Sequence, residues 1–234
     1  MRTRKLIGAL ALGALFLSIQ TLTRALSGEA QVQYNARLKV MSKADLDQRL
    51  RAPFAEGVAH PPGILNCKQL LARKGQLPQA SGQEFQAERS TMAECIVFQE
   101  LRRAVPARIS YVHDLAWDEH VLPVLPPQLA ITVSAGATRA ADVAANRGRN
   151  WQALDPSVTA SPSSKGADEI VVTGNGFSER LVLWGRGDFK GDGSEDLLVQ
   201  SFDTLTDGTY RNTRLFVLTR HAINDRFLVV GSPF

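Results

Sequence analysis

The sequence has only two cysteines, Cys67 and Cys95, too few for a disulfide-dense scaffold or a four-thiolate zinc site. Aromatic residues make up 7% of the chain, which is thin for a sugar-stacking platform, so Trp117, Trp151 and Trp184 read as packing residues. G-x-S-x-G, H-E-x-x-H, C-x-x-C and the P-loop are all missing, and with them the common routes to serine hydrolysis, zinc proteolysis, dithiol redox chemistry and nucleotide binding. No internal repeat recurs, so neither a solenoid nor a propeller is expected. Charge of one sign is also scarce. The formal net charge is +4, but Arg2, Arg4, Lys5 and Arg24 stand against Glu29 alone in residues 1–30, and beyond them 23 basic side chains face 22 acidic ones. Nucleic-acid binding thereby loses its electrostatic basis.

One long hydrophobic run is present. Leu6 to Ile19 follows the basic residues Arg2, Arg4 and Lys5, and small residues Gly28 and Ala30 precede Gln31. A spanning helix needs about 20 apolar residues, so this order reads as an export signal over residues 1–30, cleaved before Gln31. The expected mature protein is periplasmic or secreted, touching a membrane only if the signal segment is retained. An oxidising compartment favours a Cys67–Cys95 disulfide, worth about 3.6 kcal/mol in the chain-entropy treatment of a 29-residue loop.

Residues 31–234 read as a single α+β domain. In its first part, 31–135, Val32 to Val40 alternates as a strand, Ser42 caps a helix to about Leu50, and Asn66 caps Cys67 to Lys74. Ser81 with Glu84 opens a longer helix toward Ala104, so the cysteines sit on neighbouring helices of a hairpin. Alternation at Ile109, Tyr111, His113 and Leu115, and again at Leu129, Ile131 and Val133, predicts two further strands. Residues 136–167 read as an Ala-rich helix over Thr138 to Asn146 and a Ser/Pro-rich exposed connection. From 168 to 234, turn signals at Asn175-Gly176, 187–196, Asp207-Gly208 and Asn224-Asp225 separate five strands of an antiparallel β-meander, onto which the helices pack.

The sharpest local signal is the run GRGDFKGDGSEDLLVQ, with Asp188, Lys190, Asp192, Gly193 and Asp196 at relative positions 1, 3, 5, 6 and 9. Alternate carboxylates and a turn-permitting glycine suit a hard cation, but Val199 stands where an EF-hand has its bidentate glutamate. With a strand on either side, the stretch 185–202 resembles the calcium loop of FG-GAP or VCBS-type repeats. The resemblance implies structural Ca²⁺ held by Asp188, Asp192 and Asp196 with the Ser194 carbonyl. Lys190 departs from the Asp or Asn usual at its position; the other reading is a polar hairpin in which the aspartates accept backbone N–H groups and Lys190 provides an internal ion pair.

Weaker signals are a His113, Asp114, Asp118, Glu119, His120 cluster, the tripeptide Arg186-Gly187-Asp188, and Arg180, Arg211, Arg214 and Arg220 as a basic or simply solvated strand face. The function expected is a non-catalytic binding or envelope-associated role toward an envelope protein or polymer. The alternative is an envelope hydrolase using His113, Asp118 and His120.

Overall fold

From Glu169 onward the chain reverses at each turn signal and lays down strands in sequence order. The computed structural model describes residues 32–34, 42–76 and 82–233; the export-signal reading, the rest of the 32–40 strand and the Ser81–Glu84 cap fall outside these. The central strands are β3 (Glu169–Gly174), β4 (Phe177–Gly187), β5 (Asp196–Leu205) and β6 (Arg211–Thr219), all antiparallel neighbours. At the β3–β4 hairpin Gly174 pairs with Phe177, and Gly176 takes the positive φ of 80° that the turn requires. β7 (Leu228–Gly231) closes one edge. The other edge carries β2 (Thr159–Pro162), within the segment read as an exposed connection, and β1 (Gln33–Tyr34), which pairs with Gly185 and Arg186 of β4 beyond the end of β3. β4 also holds a bulge: Leu183 faces Val199 and Gly185 faces Leu198, with Trp184 as the extra residue.

Both faces of the sheet are covered. One lies under α1 (Lys43–Arg51), α2 (Cys67–Ala72) and α3 (Gly82–Arg103). Leu46, Leu70, Ile96 and Leu101 of these helices pack with Leu198, Leu215 and Val217. Local chemistry sets the helix starts. Ser42 and Asp45 form a reciprocal capping box at α1, and Asn66 Oδ1 accepts from the Gln69 amide at 2.9 Å. Cys67 and Cys95 form the predicted disulfide, with Cα atoms 5.1 Å apart, joining α2 to α3. No helix among the described residues is long and apolar enough to cross a membrane.

The opposite face is covered by residues 105–158, and here the expected strands at 109–115 and 129–133 do not form. Only isolated bridges, Val105 with Asp188 and Ile109 with Ser194, touch the sheet before the chain breaks into turns and 3₁₀ segments at Glu119–Val124 and Pro127–Leu129. The apolar alternation does not mark the docked face: Ile109, His113 and Val133 are exposed, and it is Val112, Leu122, Leu125 and Leu129 that are buried against Leu181, Leu197 and Phe216, without a strand partner. The carbonyls that a ladder would have used bind arginines instead. α4 (Ala135–Asn146), capped by Ser134, and α5 (Trp151–Leu154), which buries Trp151 completely, finish this layer.

Candidate functional site

Two arginines of the sheet, Arg186 and Arg214, and Arg220 just beyond the end of β6 hold the irregular layer in place. Arg186 Nη1 donates to the carbonyls of Val112 at 2.5 Å and His113 at 3.4 Å, and its Nη2 donates to Leu115 at 2.6 Å. Arg220 Nε donates to the Tyr111 carbonyl at 2.5 Å. Arg214 reaches the carbonyls of Gln128, Leu129 and Ala130 at 2.6–3.1 Å. Arg214 is also paired twice, with Asp203 Oδ2 2.8 Å from Nε and Glu179 Oε1 3.3 Å from Nη2. Glu179 and Asp203 face each other across β4 and β5 and are both essentially fully buried. Burial first, then the Asp203 carboxylate, pushes the Glu179 pKa well above the usual carboxyl range, with Arg214 opposing. Burial alone would lower the Arg214 pKa; Glu179 and Asp203 reverse that and leave it raised. Arg214 and Arg220 are therefore internal fasteners, and the reading of them as a surface patch is corrected. A sequence signal existed: Leu215 to Leu218 is apolar on both faces, which marks β6 as doubly covered and leaves its arginine no route to water.

The aspartate loop joins β4 to β5 and docks on the chain just after α3, where the Gly193 carbonyl accepts from the amides of Arg108 at 2.8 Å and Ile109 at 3.0 Å. Gly193 has a φ of 87°, a left-handed conformation that favours glycine. Asp188 is buried, and its carboxylate accepts from four successive amides, those of Lys190, Gly191, Asp192 and Gly193, at 2.6–3.2 Å. Asp192 accepts from the Ser194 amide at 2.9 Å and pairs with Lys190 Nζ at 3.0 Å. The Ser194 amide bond and then Lys190 hold its pKa below the usual value. Asp196 is fully buried, and burial chiefly lifts its pKa to about 6, against the Thr219 hydroxyl and the Phe189 amide. Among the described residues, no three His, Cys, Asp or Glu side chains converge in a group that could hold a metal. The donors as folded fit a hairpin neutralised from within, with the Lys190 ammonium beside Asp192. Gly187 and Asp188 are buried, so the Arg186-Gly187-Asp188 tripeptide is not displayed.

The histidine cluster is not gathered into a site. His113 and His120 are exposed, and Asp118 caps the 3₁₀ segment by accepting from the His120 amide at 2.9 Å. Two concave features lie on the helical side of the sheet. A cavity of about 660 Å³ opens between the start of α3 and the turn ends of β4–β6, lined by Gln86, Ser90, Ser178, Arg180, Phe202 and Thr213 among others. Arg180 lies 3.8 Å above the Phe202 ring and is tied to Glu169 at 2.9 Å. Arg211 bonds the Thr204 hydroxyl at 3.0 Å. A second cavity, about 450 Å³, lies between α1, α2 and α3. None of His113, Asp118 and His120 lines either one. The chain matches no family model, no curated protein and no solved structure.

Proposed function

We propose that this protein is an exported, non-catalytic module that binds an envelope protein or polymer through the cavity beside α3. The observation that carries the reading is the lining of that cavity: hydroxyls and an amide surround an aromatic ring, and both arginines are already fixed by protein partners. A few oriented polar groups around an apolar face is the anatomy of recognition. Acid–base hydrolysis needs groups within reach of one substrate atom, and the histidines that would supply it stand in solvent.

The test is expression of the full chain with a C-terminal tag, followed by fractionation, intact-mass measurement and sedimentation with isolated envelope fragments. The expected result is a product beginning near Gln31 that sediments with the fragments, while Ser178→Trp, which fills the cavity, stays in the supernatant. Cytoplasmic protein retaining residues 1–30, or sedimentation of Ser178→Trp like wild type, overturns the proposal. Turnover of envelope polymer lost in His120→Ala would establish the hydrolase reading in its place.

For the aspartate loop we infer a structural role in which Lys190 supplies the positive charge that Ca²⁺ would otherwise bring to Asp188, Asp192, Ser194 and Asp196. Thermal melts in millimolar calcium and then in chelator should leave wild type unmoved, whereas Lys190→Asn should lose stability without metal and regain it with calcium. A calcium-dependent rise in wild type would place the ion in the loop despite Lys190.

A further inference from the structure

We propose that the groove between α1, α2 and α3 is a binding site for a phosphate-class oxyanion, and that the Cys67–Cys95 disulfide keeps it formed. The groove is separate from the cavity beside α3 and does not depend on the function assigned to that cavity. Its walls carry Arg51 from α1, Lys68 from α2, and Arg102 and Arg103 from α3, above an apolar floor that includes Leu50 and Leu71. The acid in the lining is Asp47, which accepts from Arg102 Nε and leaves the two Nη groups of that guanidinium uncommitted among the described residues. Arg103 has a long 3.5 Å contact with Glu100, and neither Arg51 nor Lys68 has a carboxylate partner among the described residues. Four cationic side chains lining one hollow repel each other, and an oxyanion bound among them would remove that repulsion while accepting forked guanidinium bonds.

The charge distribution concentrates here. The lining of the groove holds four basic side chains against the single acid Asp47, although the chain beyond residue 30 is nearly balanced at 23 against 22. A localised excess on a balanced protein draws anions to one place.

The disulfide sets the width of the groove. Cys67 immediately precedes Lys68, and Cys95 stands seven residues, about two helical turns, before Arg102 on α3. α2 has only six residues, too few to hold a position by helix propensity, so its placement rests on packing and on the bridge to α3. Reduction frees the Lys68 wall from the Arg102 and Arg103 wall.

Calorimetric titration of the full chain with inorganic pyrophosphate tests the site, alongside sedimentation with phosphatidylglycerol/phosphatidylcholine vesicles and with phosphatidylcholine alone. Saturable binding should weaken roughly tenfold or more in Arg51→Gln/Lys68→Gln, because charged hydrogen bonds are lost. It should hold in Arg139→Gln/Arg147→Gln, which removes the same charge from exposed positions on and beside α4. Tight pyrophosphate binding without vesicle capture identifies a soluble phosphate ligand; capture only by phosphatidylglycerol vesicles identifies a lipid headgroup. Binding to neither probe, or an equal loss in both double variants, overturns the site. Reduction of wild type should weaken binding while tryptophan fluorescence keeps its folded signal. Unchanged affinity after reduction would overturn the part assigned to the disulfide.

Discussion

The two faces of the sheet are covered by opposite means. On one side three helices satisfy their own backbone groups and contribute an apolar stripe, so Leu198, Leu215 and Val217 need only packing and one disulfide to hold that layer. On the other side an irregular segment arrives with unspent carbonyls, and buried carbonyls must find donors. Arg186, Arg214 and Arg220 provide them, seven carbonyls in all. A covering layer without secondary structure thus moves its hydrogen-bonding demand into the sheet beneath it, and buried positive charge then calls for buried carboxylates such as Glu179 and Asp203.

The strongest break in this comparison is Arg214→Ala. Removing one partner of a buried ion cluster leaves Asp203 and three carbonyls without their donor, at a cost of about 3–5 kcal/mol. Arg102→Ala, which removes a half-exposed pair on the helical side, should cost about 1 kcal/mol or less. Urea denaturation of both variants measures the contrast; equal losses would mean that the irregular layer is not held by its arginine.

Next comes the helical side's own fastener. Cys67→Ser/Cys95→Ser should lower stability by about 3.6 kcal/mol at most, through the unfolded chain. In hydrogen exchange, α2 should gain deuterium soonest and β4–β6 should stay protected. Uniform acceleration would show that the two layers open together.

Below the disulfide comes a pH dependence from Asp196. Its pKa is raised from 3.8 to about 6 in the fold, so the stability it contributes is present below about pH 3.8 and is lost as pH rises through 6. Asp196→Asn should therefore gain up to about 3 kcal/mol on wild type between pH 4 and pH 7.5. Glu179 acts in the same direction, so some pH dependence should survive in the variant. A wild-type-to-variant difference that stays flat with pH would remove the charge-burial account.

What the sequence made legible follows from where local chemistry decides. The α+β class, the meander with its glycine turns, the caps at Ser42, Asn66 and the Ala-rich helix, and the cysteine pairing all depend on residues close in sequence or on the simplest pairing. Residues 105–133 elude a period-two reading because the side chains that dock, Val112, Leu122 and Leu125 among them, do not follow the alternation while Ile109 and Val133 stay exposed, and the deciding partners lie 70 or more residues away at Arg186 and Arg214. The aspartate loop showed its carboxylates, yet not their use: Asp188 directs its oxygens to amides of its own turn, a matter of backbone conformation that residue spacing does not encode. The groove between the helices was hidden for a related reason, since Arg51, Lys68 and Arg102 meet only after the hairpin closes.

The bulge at Trp184 has a consequence that amounts to arithmetic. Along a strand, sides are assigned by counting, odd to one face and even to the other. Leu181 and Leu183 set the irregular layer on the odd side, but Arg186, an even residue, stands opposite Leu197 and faces the same way. Trp184 changes the parity, keeping its own ring on the helical side with its indole N–H 2.6 Å from Gln200. Deleting Trp184 would therefore remove one side chain and re-address no other. Deleting Val182, upstream of the correction, would put Glu179 and Leu181 out of step with everything beyond them.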